Sequence, residues 1–337
     1  MQTALTTRRL GTTDMEITTV GFGAWAIGGG GWSFGWGPQD DERSVATIHH
    51  AIERGINWID TAAVYGLGHS EEIVRRALEG MAEAVRPYVF TKCGLIWDES
   101  KPMAPPRQVL SPTSIRRECE ASLRRLGVER IDLYQFHWPD ESGTEVEDSW
   151  GAMIRLVEEG KVRAAGVSNF DVPLLERCET IRHVDSLQPP FSLIRREAAE
   201  AELSWCAEHD TGVIVYSPMQ SGILTERFSA ERVKALAPDD WRRKSGEFRP
   251  PQLQRNIALR DGLRPIAERH GVSVEEVAIA WTLAWPGVTA AIVGGRTPEQ
   301  VDGWINAGAL ELTDGDLDDI VETIRKTEAG RGPARPN

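Results

Sequence analysis

Four side chains have types and positions that could carry a proton-transfer reaction: Asp60, Tyr65, Lys92 and His137. Lys92 closes the apolar run Tyr88-Val89-Phe90-Thr91, where an ammonium is costly to bury unless a carboxylate accompanies it. It is one of only six lysines among 38 basic residues, and the other five stand in polar surroundings. Asp60, at the end of the preceding apolar run, is the natural partner. A buried ammonium beside a phenol favours the phenolate, so the arrangement predicts a Tyr65 pKa drawn below about 10. Such a phenol could give or take a proton near neutral pH. His137, ending the run Ile131-Asp132-Leu133-Tyr134-Gln135-Phe136, could orient a carbonyl oxygen and share the charge that develops on it. Three of the four also have a plainer reading: a helix cap for Asp60, packing for Tyr65, a satisfied core residue for His137.

Elements that place such residues together follow from the pattern of apolar runs. Eight short runs rich in Val, Ile and aromatics, at 18–25, 57–62, 88–92, 131–137, 164–168, 186–190, 212–217 and 290–294, read as strands. Between them, 40–54, 70–81, 113–126, 147–158, 173–181 and 197–208 have helical period, with Pro112 and Gly127 punctuating the third. Eight alternating units predict an α/β (β/α)8 TIM barrel, in which reactive groups sit at strand ends and in the loops that leave them. The surplus residues predict an N-terminal hairpin (Arg9-Leu10-Gly11, then Ile17), an extra helix at 256–269, a C-terminal helix at 314–326 and a frayed tail at 329–337. No low-complexity linker divides residues 1–337, which read as a single domain. A doubly wound open sheet fits less well, because Gly21-Phe22-Gly23-Ala24-Trp25-Ala26-Ile27-Gly28 lacks the third glycine of a dinucleotide fingerprint.

Composition excludes several classes of partner. The chain has 337 residues and a formal net charge of −13, which argues against binding duplex DNA or an anionic membrane through broad phosphate neutralisation. Four widely spaced cysteines without a CxxC pair, and an N-terminus without an apolar core, predict a reduced, cytoplasmic location. The most apolar window, 277–293, is interrupted by Pro286 and Gly287 and suits a buried helix followed by a strand rather than a membrane span. No HExxH occurs, and no His/Asp/Glu cluster accompanies Asp60 and His137 at strand ends, so no metal is expected and a barrel hydrolase is disfavoured.

The four residues and their settings carry a resemblance. The segments Asp60-Thr61-Ala62-Ala63-Val64-Tyr65-Gly66 with Ser70-Glu71, Phe90-Thr91-Lys92, and Ile131 to Trp138 resemble the catalytic motifs of the aldo-keto reductase superfamily, in order and at matching spacing. The likeness extends from about Arg9 to the last helix. It implies a (β/α)8 barrel with a tetrad of Asp60, Tyr65, Lys92 and His137. It also implies a nicotinamide cofactor, bound near Gly23 and Trp25, with Ser168, Asn169 and Gln188 on the carboxamide and Tyr216 stacked on the ring. The loop holding Ser217, Met219 and Ser221 would lie along the pyrophosphate. Gly294, Arg296 and Gln300, where the last barrel strand meets a helix, suit a phosphate on the adenosine ribose, which implies NADP(H) over NAD(H). Taken alone, Ser168-Asn169 and Tyr216-Ser217-Pro218 read as turn chemistry, and Thr297 as a cap beside a solvated arginine. Trp304 and Gly303 depart from the Asn and Glu that many relatives have there, which puts the adenine contact in doubt.

Twelve tryptophans outnumber eight Phe and four Tyr, and those predicted in loops at strand ends point to an apolar-walled cleft. Trp32, Trp97 and Trp138 are the substrate-contact candidates. Gly28-Gly29-Gly30-Gly31 reads as a flexible hinge, and 241–251, rich in arginine, as a second lid. The expected activity is NADPH-dependent reduction of a small-molecule aldehyde or ketone, with Tyr65 delivering the proton. Alternatives are the same chemistry run oxidatively on an alcohol or sugar, and a non-catalytic NADPH-sensing subunit resembling the β subunits of voltage-gated potassium channels.

Overall fold

The computed structural model describes residues 5–237 and 240–336. Eight parallel strands close into a barrel in sequence order: β1 (Val20–Gly23), β2 (Trp58–Asp60), β3 (Tyr88–Cys93), β4 (Ile131–Phe136), β5 (Val162–Ser168), β6 (Ser186–Gln188), β7 (Gly212–Tyr216) and β8 (Val288–Gly294). Each crossover carries a helix, as parallel pairing requires. The first six are α1 (Asp41–Glu53), α2 (His69–Leu78), α3 (Pro112–Leu126), α4 (Val146–Glu158), α5 (Val172–Glu179) and α6 (Glu202–Glu208). Further helices at Gln252–Gly262, Arg264–His270 and Val274–Leu283 follow β7, and Asp314–Thr327 closes the chain.

Local signals explain several boundaries. In α3, Ser111 caps the first turn through Ser114 N–H, Pro112 occupies the first turn, and Gly127 takes the left-handed conformation at φ 64°. The predicted helix at 197–208 is broken: a turn at Glu197–Ala199 is separated from α6 by Ala201 at φ −147°, ψ −49°. The extra helix at 256–269 is two helices. Pro265 lacks the N–H that would continue the first, so the chain restarts at Arg264.

A hairpin of Thr7–Arg9 and Glu16–Thr18 closes the N-terminal end of the barrel. Its Leu10, Met15 and Ile17 are fully buried against Trp58, Phe90, Leu133 and Ile214 inside the barrel. The tail is not frayed over 329–336, and Asn337 lies outside the described residues. Arg331 exchanges backbone hydrogen bonds with Ile194 and Arg196. The buried Arg196 guanidinium donates to Gly332 O at 3.1 Å and Ala329 O at 3.3 Å. A buried cation needs those acceptors, so the tail is held down.

The four cysteines are free and buried. Burial pushes the Cys119, Cys178 and Cys206 thiols up to about 12, which makes them inert packing groups. Among the described residues no helix is long and apolar enough to cross a membrane.

Candidate active site

Period-two alternation builds the floor of the barrel mouth. Trp58 and Asp60 on β2, Phe90 and Lys92 on β3, and Leu133 and Gln135 on β4 succeed one another on one strand face. Register pairs Phe90 with Leu133 and Lys92 with Gln135. An apolar tier of Trp58, Phe90, Leu133, Ala164 and Ile214 thus lies beneath a polar tier of Asp60, Lys92, Gln135 and Gln188. No member of the polar tier is more than 3% exposed. Gly166 makes room for it, since a Cβ there would meet Ser186 O at 2.8 Å and Gln135 Cγ at 3.1 Å.

Buried charge demands partners, and they are present. Lys92 Nζ donates to Asp60 Oδ2 at 2.6 Å, to Thr61 O at 2.9 Å and to the Tyr65 hydroxyl at 3.5 Å. Asp60 Oδ1 accepts from Gln188 Nε2 at 2.9 Å, and the same amide nitrogen lies 3.3 Å from Gln135 Oε1. Both carboxylate oxygens are therefore engaged. The His137 ring stands edge-on to Tyr65 with centroids 5.6 Å apart.

The expected lowering of the Tyr65 pKa is not what this arrangement gives. Burial, then the negative charge of Asp60, then Tyr216, hold it well above the usual phenol value. The ammonium is closer to the carboxylate than to the phenol, so the pair acts on Tyr65 as a nearly neutral dipole. Tyr65 therefore keeps its proton through neutral pH. Burial, reinforced by the charge of Lys92, depresses the His137 pKa well below the ordinary 6.5, so its imidazole stays neutral. Neither group titrates across neutrality. A proton transfer that runs through these two groups should accordingly keep a flat maximal rate from about pH 6 to 8. A break of one unit slope in that window, in rate measured against pH, would assign the proton to another group.

Above this floor a cavity of about 560 Å3 opens at the C-terminal end of the strands. Asp60, Tyr65 and His137 line it, while Lys92 sits behind Tyr65. Gly23 and Trp25 form one side, with Ser168, Asn169 and Gln188 opposite. Tyr216, Ser217, Met219 and Ser221 continue the wall, and Gly294, Arg296, Gln300 and Trp304 complete it. The Ser168 hydroxyl donates to Gln188 O at 2.7 Å, and the Tyr216 hydroxyl to Asn169 Oδ1 at 2.9 Å. Asn169, Ser217, Gln220 and Ser221 hold positive φ without being glycine, so backbone strain is concentrated at this cavity. Trp304 is 2% exposed, with its indole nitrogen unpartnered.

Other expectations are corrected. Of the three substrate-contact candidates, only Trp138 lines the cavity. Trp32 and Trp97 pack instead into the apolar shell around Ala62, Val64 and Tyr65. Gly28 is a close-approach glycine rather than a free hinge, because a Cβ there would lie 2.8 Å from the Tyr65–Gly66 backbone. In the second lid, Trp241 stacks on Trp25 at 5.5 Å, and Arg242 lies 4.6 Å from the Trp36 ring centroid. Arg227, Arg232 and Arg242 line the cavity together with Arg296 and add positive potential to it. Gln135 was missed, although the alternation Leu133, Gln135, His137 signals its face. Arg242 was not distinguished from its neighbours, because nothing local separates the one buried arginine of that segment from Arg243 and Arg249.

The aldo/keto reductase family model matches residues 19–325. The chain belongs to the aldo/keto reductase family. It is 32% identical over 316 residues to the aldo-keto reductase YhdN of Bacillus subtilis, covering 94% of this chain and 92% of that one. It is 33% identical to an NADH-specific methylglyoxal reductase of Escherichia coli, over 91% and 94% of the two chains. The solved glycerol dehydrogenase AKR11B4 of Gluconobacter oxydans superposes with a TM-score of 0.86 at 36% identity, over 97% of each chain. This aldo/keto reductase is therefore an oxidoreductase of a family that uses nicotinamide cofactors. Its cavity suits such a group: hydrogen-bonding side chains at Ser168 and Asn169, a strained loop from Ser217 to Ser221, and arginines toward Arg296.

Proposed function

We propose that this aldo/keto reductase reduces a small aldehyde or ketone to an alcohol with NADP(H), Tyr65 acting as the general acid. The observation that carries the reading is the buried Lys92–Asp60 pair set 3.5 Å behind a protonated Tyr65 hydroxyl on the cavity floor. The bound nicotinamide supplies the hydride. Tyr65 gives its proton to the carbonyl oxygen as charge builds there, and Lys92 moderates the phenolate left behind. Neutral His137, edge-on to Tyr65, fixes where that oxygen can sit. Ser168, Asn169 and Gln188 would hold the carboxamide, Tyr216 the ring face, and Arg296 the ribose phosphate.

Trp25, on the cavity wall, crowds Tyr65 with its ring centroid 6.1 Å away. That narrowness supports a substrate of few carbons, in keeping with relatives named for methylglyoxal and glycerol. Oxidation of a small polyol is the same chemistry reversed, with Tyr65 accepting the proton. The test is cofactor turnover in both directions against two-to-four-carbon hydroxycarbonyls, α-dicarbonyls, polyols and bulky ketones. Small carbonyls should be turned over and bulky ketones at least tenfold less well, as expected when the reacting atoms must be held close. Turnover of none, with stoichiometric oxidation of bound NADPH, would favour the cofactor-sensing alternative.

A further inference from the structure

β3 ends at Cys93, and Gly94 turns the chain there at φ 93°. The turn has no room for a side chain, since a Cβ would lie 2.4 Å from Leu110 Cδ2. Three parts of the site meet at this glycine. Lys92 stands two residues before it. His137 is fixed beside it, because its backbone N–H donates to Cys93 O at 2.9 Å. After it the chain enters a short antiparallel pair, Leu95–Ile96 with Arg107–Gln108. There Leu95 and Trp97 pack on the apolar shell around Tyr65.

A carboxyl group holds the turn. Gly94 O accepts from Val109 N–H at 2.9 Å, while Gly94 N–H leaves the barrel ladder and donates to Glu118 Oε2 on α3 at 2.9 Å. The other oxygen, Glu118 Oε1, accepts from the Ser114 hydroxyl at 3.0 Å. Glu118 is 7% exposed, and these direct partners are neutral. Of the nearby cations, Arg117 donates to the Ser114 hydroxyl and Arg125 to Glu71. Burial outweighs the two bonds and the more distant arginines, and it pushes Glu118 up to about 7. The other titratable groups packed around it, Cys93 on β3, Tyr134 on β4 and Cys119 on α3, are kept protonated by burial.

Helix stability does not require a carboxyl group here. Ser111 caps α3, and Glu118 lies beyond the first turn. An apolar side chain would avoid the cost of burying a charge, but it would leave the Gly94 N–H without an acceptor. The bond also survives titration. A protonated carboxyl still accepts through its carbonyl oxygen, and its O–H can donate to the Ser114 hydroxyl. The turn is therefore held in both charge states of Glu118, in keeping with a flat profile for proton transfer through Tyr65 and His137.

We propose that Glu118 is a positioning residue for the reaction: by accepting the Gly94 N–H it fixes the turn that sets Lys92, His137 and the shell around Tyr65 relative to one another. This rests on the proton path proposed above. Glu118 touches none of the reacting atoms and acts through the backbone of residues 92–97. A displacement of about 1 Å in a reacting geometry costs up to about a hundredfold in rate, so the effect falls on the chemical step and not on binding.

The test is a series at this position, Glu118→Gln, Glu118→Asp and Glu118→Met, beside Ser114→Ala and Tyr65→Phe. NADPH oxidation is followed with the fastest carbonyl of the panel above, both saturating and well below each melting temperature, and NADPH affinity is titrated separately. Glutamine still accepts from Gly94 N–H and can donate to the Ser114 hydroxyl, so kcat should stay within about threefold of wild type. Methionine offers no acceptor and should lower kcat about ten- to a hundredfold, with NADPH affinity within about twofold. Aspartate keeps the charge but is one methylene short, and should fall between them. Ser114→Ala spares the Gly94 bond and should stay within about threefold. Glutamine as slow as methionine would overturn the proposal, because charge and not the acceptor would then matter. Wild-type kcat in both Glu118→Asp and Glu118→Met would also overturn it, as would a loss confined to NADPH affinity. If Glu118→Met does not fold, the other two decide: aspartate as fast as glutamine overturns the proposal. Wild-type kcat in Tyr65→Phe would instead overturn the proton path, whatever the Glu118 series gives.

Discussion

Replacing Tyr65 by phenylalanine is expected to lower the rate of carbonyl reduction by a factor of about 100 to 10,000, the range of general acid catalysis. Cofactor affinity should stay within about twofold, because the substitution removes one hydroxyl and leaves the ring. That ring is fixed by Trp25, Trp32 and His137 around it. Lys92 loses only its longest contact, at 3.5 Å, and keeps Asp60 and Thr61 O. The fold should therefore be unaffected, and the melting temperature is the control. Cofactor oxidation with saturating substrate, beside cofactor titration without it, separates chemistry from binding. Near-normal turnover in Tyr65→Phe would remove Tyr65 from the proton path.

The second large effect concerns the buried pair. Lys92→Met leaves the Asp60 carboxylate among buried groups with only the Gln188 amide for company. Breaking a buried ion pair by removing one partner costs about 3–5 kcal/mol, because the remaining charge is stranded. Lys92→Met should unfold at much lower denaturant and lose activity. Combining it with Asp60→Asn removes the stranded charge and should restore a large part of the stability, while activity stays lost. Chemical denaturation of the single and double variants is the measurement. A double variant no more stable than Lys92→Met would show that packing, and not charge, governs this corner.

Both predictions rest on residues that could be read from the chain. A lysine closing an apolar run, an aspartate closing the run before it and a histidine closing the run after are local facts. They need only the rule that barrel strands point their ends at one mouth. The same rule located eight strands and the first five helices, with small differences at their ends. It failed where a single residue outweighs period: Ala201 breaks the helix predicted at 197–208, and Pro265 divides another. The tail was misread because what holds it, the Arg196 guanidinium, is more than 130 residues away along the chain.

Residue types and their spacing by themselves determined the barrel and the gathering of Asp60, Tyr65, Lys92 and His137 at its mouth, because alternation and strand order are properties of a single chain direction. Tertiary structure alone decided the electrostatic balance. Whether Lys92 lowers the Tyr65 pKa depends on its reaching Asp60 at 2.6 Å and the phenol only at 3.5 Å. Whether an arginine is solvated or gathered into a recess depends on where α1 begins relative to the end of β8. Coulomb interactions fall with distance through space and not along the sequence, so Arg43 and Arg296, 253 positions apart in the numbering, become neighbours only in the folded barrel.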